Sequence, residues 1–222
     1  MFLNRGDRLA IVDFEDRKIN YTELVNNVKY FSENVIPAEK EDFGLILMEN
    51  RPEWIYTYFA LWDRKAIPIA LDSTSSSKEI LYVLGDSNPK FIICSNESEK
   101  NVREAVSMYE KGEITVINVD NHPIDENKLE VIRNSNFELE NPEGDSIATM
   151  LYTSGTTGSP KGVMLTFNNL SSELEGLEKK DLLEPTDQIL ALLPFHHVLP
   201  LTATVLIILQ HQASMVFVKK IA

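Results

Sequence analysis

Leu151-Tyr152-Thr153-Ser154-Gly155-Thr156-Thr157-Gly158-Ser159-Pro160-Lys161-Gly162 is the stretch on which the reading of this 222-residue chain turns. An apolar run, Ile147 to Leu151, precedes it, and a second, Val163 to Leu165, follows it. That order predicts a strand, a polar loop and another strand, with the loop held at a sheet edge. Glycines allow positive φ and a close approach of backbone to ligand. Backbone N–H groups, hydroxyls and one ammonium then offer donors to an anion. A nucleotide polyphosphate is the anion this donor set suits. The spacing is not that of a Walker loop, G-x-x-x-x-G-K-S/T, because Pro160 stands five residues after Gly155 and Gly162 follows Lys161. The G-x-G-x-x-G fingerprint of dinucleotide sites is absent too. A flexible Gly/Ser linker would lack the flanking strands and the Pro-Lys-Gly ending.

Upstream of the loop, strand and helix signals alternate. Leu9 to Phe14 reads as a strand with a turn at Asp16-Arg17. Leu24, Val25, Val28, Phe31 and Val35 share one helical face over Tyr21 to Val35, and Asn20-x-x-Glu23 caps its start. Phe43 to Met48 reads as a buried strand. Asn50-Arg51-Pro52-Glu53 then reads as a helix start with a capping asparagine. Trp54, Ile55, Tyr58, Leu61 and Trp62 form the stripe of that helix, read as core packing. Ile67 to Leu71 is a strand. Ser76-x-x-Glu79 caps a helix from Lys78 to Leu84, which Gly85 closes. Phe91 to Cys94, Ser98 to Tyr109 and Ile114 to Val119 continue as strand, helix and strand. The rhythm predicts an α/β fold, a largely parallel sheet flanked by helices on both faces.

Residues 121–144 are polar and acidic, with Pro123 and Pro142, and read as a surface excursion inside a single domain covering 1–222. Beyond the loop, Thr166 caps a helix from Phe167 to about Lys180. Gln188 to Leu193 is a strand that ends at Pro194-Phe195-His196-His197. An apolar helix after Val198 and a strand from Ala213 to Val218 follow.

Hydrophobic residues make up 43% and charged residues 25%, enough for a packed core. The net charge of −13 argues against non-specific binding to nucleic acid or to an anionic membrane, which needs a basic face. Cys94 is the only cysteine, so an internal disulfide is excluded, and a packed thiol in a cytoplasmic setting is expected. Zinc is disfavoured because no spaced ligand set exists. The apolar run Val198 to Leu209 is too short to span a bilayer. No transmembrane segment is expected, while peripheral membrane contact and oligomeric state stay open.

Tyr-Thr-Ser-Gly-Thr-Thr-Gly-x-Pro-Lys-Gly resembles the phosphate-binding signature of the adenylate-forming, acyl-activating superfamily. Three further blocks follow the same resemblance in order. Ala66-Ile67-Pro68-Ile69-Ala70-Leu71-Asp72 resembles the family's "Gly-Ala-x-Pro-x-Pro-Leu-Asp-Pro", with Ser73 where a proline is usual. Leu165 to Leu170 resembles "Leu-Thr-His-x-Asn-Leu", with Phe167 replacing the histidine. Leu193-Pro194-Phe195-His196-His197 resembles "Leu-Pro-Leu-x-His". The wording around the two histidines is most similar to long-chain fatty acid–CoA ligases.

The resemblance implies two steps. A carboxylate, here a fatty acid, attacks the α-phosphate of ATP to give an acyl-adenylate and pyrophosphate; coenzyme A then displaces AMP. By direct match Thr153, Ser154, Gly155, Thr156, Thr157, Gly158 and Lys161 would grip the β- and γ-phosphates, where charge builds up. Thr153 would help to hold Mg²⁺, which needs phosphates, waters and a carboxylate besides. His197 matches the family histidine near the acyl carboxylate, and in an extended segment His196 would point the other way. Family members are roughly two to three times longer than one domain of this size. The chain is therefore expected to hold the first part of the N-terminal lobe, without the C-terminal lobe, and to be inactive alone. The alternatives are a non-catalytic module that binds a nucleotide or partner, and a ligase for an acyl-carrier protein.

Overall fold

The computed structural model describes residues 3–153, 160–180 and 182–218. Its main sheet has six strands in the order β6-β5-β3-β4-β7-β8. These are β3 (Phe43–Leu47), β4 (Ile67–Leu71), β5 (Phe91–Cys94), β6 (Thr115–Asn118), β7 (Ile147–Thr153) and β8 (Lys161–Thr166). All neighbours run parallel except β7 and β8, which form the antiparallel hairpin around the glycine-rich loop. The central strands read as continuous apolar runs because both faces of a parallel sheet are buried.

Alternate strand residues face two cores. Leu45, Leu47, Ile69, Leu71, Ile92 and Cys94 pack under α3 (Ser77–Ser87) and α4 (Glu99–Ser107). Ile46, Ala70, Ile93, Ala148 and Leu151 face α1 (Tyr21–Asn34) and α2 (Pro52–Asp63). The α/β fold with helices on both faces is the one expected. Cys94 is fully buried in β5, and burial pushes its thiol up to about 12.

Gly44 in β3 has a packing reason. A Cβ there would sit 2.6 Å from the Phe91 ring and 2.8 Å from Leu61. Only a glycine lets α2 and β5 close on β3 without moving a ring. Gly44→Ala is expected to destabilise the fold by about 1–3 kcal/mol through overpacking, read as a lower urea midpoint with an unchanged slope.

Helix α2 is buried on nearly every side, unlike the one-sided stripe expected of an amphipathic helix. It lies between the main sheet and a second structure. Trp54 stacks on Tyr58 at 5.1 Å and meets Phe195 edge-on at 5.1 Å; Phe195 meets Phe217 at 6.0 Å. Trp62 donates from Nε1 to the Ala148 carbonyl at 2.7 Å, tying α2 to β7. Asp63 at the end of α2 accepts from Lys29 at 3.1 Å, from Ser32 and from the Glu140 N–H at 2.9 Å. Both tryptophans are core residues, as the stripe implied.

The second structure is a four-stranded sheet in the order β2-β1-β10-β9. It joins β1 (Leu9–Val12) and β2 (Lys18–Asn20) to β9 (Gln188–Leu190) and β10 (Ser214–Val216). Ile11 pairs with Met215. Local periodicity finds β1, β9 and β10 but misses the three-residue β2, and it says nothing about a partner two hundred residues away, so it does not predict this sheet.

The polar segment after β6 contains α5 (Glu126–Arg133), which buries Leu129 and Ile132 toward α1. Asn20 and Ser76 form capping boxes, as read from the spacing, and Thr166, read as a cap, forms one with Asn169. Two local expectations fail. Gly85 lies inside α3, and Asn88 in the left-handed conformation (φ 48°) ends it, its N–H donating to Leu84 O. Asn50 does not cap α2; Arg51 occupies that position without a side-chain cap bond. After the loop hairpin come α6 (Phe167–Glu178) and a helix over 198–210, formed by α7 (Val198–Pro200), a π-wound turn (Leu201–Leu206) and α8 (Ile207–Gln210). Among the described residues, no helix is long and apolar enough to cross a membrane.

Candidate functional site

The strand order creates a crevice. From β3 the chain crosses by α2, on one face, to β4; from β4 it crosses by α3, on the other face, to β5. Connections leaving two neighbouring strands toward opposite faces open a gap beyond their carboxyl ends, where open α/β sheets bind ligands. A cleft of about 750 Å³ lies there, with Asn50, Asp72, Thr74, Leu192, Pro194 and His196 among its walls. The adjacent strand β7 runs parallel to β4, with Ala70 opposite Leu151, so its carboxyl end at Thr153 reaches the same edge of the sheet.

Thr153 and Lys161 are direct cross-strand partners in the β7–β8 ladder, and both are exposed. The two ends of the glycine-rich loop are thus brought together. Ser154, Gly155, Thr156, Thr157 and Gly158 lie outside the described residues. Below the loop, Tyr152 Oη donates to Asp86 Oδ2 at 2.7 Å, and Tyr82 Oη donates to the Pro160 carbonyl at 2.9 Å.

Three hydrogen bonds from one side chain fix the segment that carries the histidines. Asn50 Nδ2 donates to the Ala191 carbonyl at 3.0 Å and to the Leu193 carbonyl at 2.8 Å; its Oδ1 accepts from the Phe195 N–H at 3.2 Å. Read as a helix cap in the sequence, Asn50 is a bridge between the end of β3 and the exit of β9. Its signal was its place, just past a buried parallel strand. Beside it Arg51 ties Glu49 (3.0 Å), Glu53 (2.7 Å) and Asp120 (2.8 Å) into one cluster. Burial works against its charge, but Glu53 and Asp120 outweigh it and hold the guanidinium more firmly protonated than usual.

The chain turns at 195–197, so the two histidines do not alternate as in a strand. Their rings lie 4.1 Å apart. His196 is the one in the cleft wall, with Nε2 4.0 Å from Asp72 Oδ2. Burial, reinforced by His197, lowers its pKa, and Asp72 opposes the shift. His197 is exposed and stands at the start of α7, where its carbonyl accepts from the Leu201 N–H at 3.0 Å. Among the described residues, no group of three or more His, Cys, Asp or Glu could hold a metal ion. Thr153 supplies a single hydroxyl, so any Mg²⁺ here must be carried chiefly by other oxygens, those of a nucleotide included.

A parallel sheet with a switch-point cleft and a glycine-rich hairpin at its carboxyl edge defines a nucleotide-binding α/β domain. Residues 3–222 match the AMP-binding enzyme family, and the chain belongs to it. It is 34% identical over 143 residues to fatty acyl-CoA synthetase A of Dictyostelium discoideum, an alignment covering 57% of this chain and 21% of that protein. It is 30% identical over 208 residues to the 2-succinylbenzoate–CoA ligase of Bacillus subtilis strain 168, covering 89% of this chain and 38% of that protein. The structure of the Bacillus subtilis O-succinylbenzoate coenzyme A synthetase in complex with ATP and magnesium ion superposes with a TM-score of 0.76 at 26% identity, covering 97% of this chain and 55% of that one. The chain spans well under half the length of the two relatives compared by sequence.

Proposed function

We propose that this chain supplies the pyrophosphate-gripping hairpin and the acid-side cleft of an AMP-forming acyl-CoA ligase. The reaction is ATP-dependent activation of a carboxylic acid, a fatty acid in the first instance, followed by transfer to coenzyme A. The observation that carries this reading is the register of Thr153 with Lys161 at the same sheet edge as the switch-point cleft. Thr153 and Lys161, with Ser154, Gly155, Thr156, Thr157 and Gly158 between them, would hold the phosphates that leave. His197 would orient the acid or its adenylate, and His196 faces the cleft beside it. Mg²⁺ would arrive on the nucleotide, with Thr153 as its one protein hydroxyl among the described residues. The choice of a fatty acid rests on the Dictyostelium discoideum relative and on the wording around His196-His197; the Bacillus subtilis relative favours 2-succinylbenzoate.

The test is pyrophosphate release by the complete gene product, supplied with fatty acids of graded length and, separately, with 2-succinylbenzoate. Release with fatty acids supports the proposal. Release with 2-succinylbenzoate alone overturns the substrate, and no release with any acid overturns the activity. Lys161→Ala should lower kcat/KM for ATP about 10- to 150-fold, the worth of one charge-assisted hydrogen bond. An unchanged value would remove Lys161 from the site.

A further inference from the structure

The hairpin that presents the phosphate loop lies at the edge of the main sheet. Among the described residues its outer strand β8 has only β7 as a ladder partner, and Val163 and Met164 are exposed. A two-stranded extension of this kind needs further support if it is to hold a loop in one place. That support comes from α3. Tyr82 and Asp86 are one helical turn apart and therefore on the same face. Tyr82 Oη donates to the carbonyl of Pro160, the residue before Lys161. Asp86 accepts from Tyr152 Oη, on the residue before Thr153. Each stem of the loop is thus fastened one residue from the group that would touch phosphate, and both fasteners are on one helix.

The signature glycine at 162 completes the arrangement. Gly162 lies directly across the ladder from Tyr152. A Cβ at 162 would sit 3.2 Å from Cζ of the Tyr152 ring and would collide with the Met150 methyl. The missing side chain lets the ring lie over the β8 backbone, on the path that takes its hydroxyl to Asp86.

We propose that Tyr82 and Asp86 are positioning residues that clamp the two stems of the phosphate-binding hairpin and so preset Thr153 and Lys161. The inference rests on reading the hairpin as the phosphate-binding element. Preorganisation is where such a site gains its rate, since small displacements of a donor cost far more than its ground-state contact suggests. Loss of the Tyr82 fastener should lower kcat for ATP–pyrophosphate exchange about 2- to 10-fold, the worth of one neutral hydrogen bond, and loss of the bond to the Asp86 carboxylate should lower it at least as much; both should leave KM for the acid unchanged.

The experiment compares Tyr82→Phe, Asp86→Ala and their double variant with Asp86→Asn, which keeps an acceptor for Tyr152. Amide hydrogen exchange at Lys161, Gly162 and Val163 is measured on the complete gene product beside thermal midpoint and pyrophosphate exchange. Faster amide exchange at these three positions in the double variant, with an unchanged midpoint and recovery in Asp86→Asn, supports the clamp. Unchanged amide exchange overturns it, as does an Asp86→Asn variant no better than Asp86→Ala. The amide measurement needs no turnover. A protein that releases no pyrophosphate therefore defeats the proposed function while the clamp is still judged on its own readout.

Discussion

Trp54→Ala is expected to lower the unfolding free energy by about 3–5 kcal/mol, the range for removing a large aromatic from a packed core. Three features put it in that range. The indole is fully buried, so its whole transfer free energy is lost. It stacks nearly parallel on Tyr58, with 10° between the ring planes. It also meets Phe195 edge-on, and through Phe195 it is coupled to Phe217 beyond β10. The void would open where α2 meets the second sheet. Neither sheet can collapse into it, because α2 is pinned at its other end by Trp62 and Asp63. A typical domain has about 5–15 kcal/mol in total, so the alanine variant will sit near the limit of folding. Trp54→Phe keeps most of the apolar volume and should lose less. Urea titration followed by Trp62 fluorescence reads both variants. A Trp54→Ala midpoint equal to that of the parent would show that α2 does not hold the sheets together.

Asn50→Ala should be the most damaging single change at the cleft. It deletes two donors and an acceptor and leaves the carbonyls of Ala191 and Leu193 and the N–H of Phe195 without this partner. At about 0.5–1.5 kcal/mol per bond, and more where the group stays dry, the expected loss of stability is about 2–4 kcal/mol. The functional loss should exceed what unfolding explains, because the freed segment runs directly into His196 and His197. Pyrophosphate release measured well below the unfolding midpoint separates the two effects. Asn50→Asp is the sharper variant: it keeps the acceptor for Phe195 but sets a carboxylate against two carbonyls, and it should be no better than alanine. Full activity in either variant would remove Asn50 from any role in placing the histidines.

What the sequence discloses depends on how local the physics is. The caps at Asn20, Ser76 and Thr166 are settled within four residues each, and all three form. The loop hairpin is legible because its glycines and its flanking apolar runs are contiguous. The parallel sheet follows from the alternation of strand and helix signals. Asn50 misleads because the same residue type suits a helix cap and a bridge, and the bridge reaches the segment at 191–195. The pair His196 and His197 misleads for a related reason: opposite orientation presumes an extended backbone, and the chain turns there. The sequence does not single out Tyr82 and Asp86, since nothing in α3 announces that a hairpin about seventy residues later will lie beside them.

Cys94 has a practical consequence. It is the only thiol among 222 residues, it sits in β5 between β3 and β6, and its pKa is pushed up to about 12. Burial suppresses the thiolate, the reactive form, and shields the sulfur from reagents at the same time. Covalent labelling must therefore wait for α3 and α4 to lift from the sheet or for the sheet to open around β5. The rate at which a maleimide or disulfide reagent attaches becomes a clock for that opening, built into the natural sequence without any added probe.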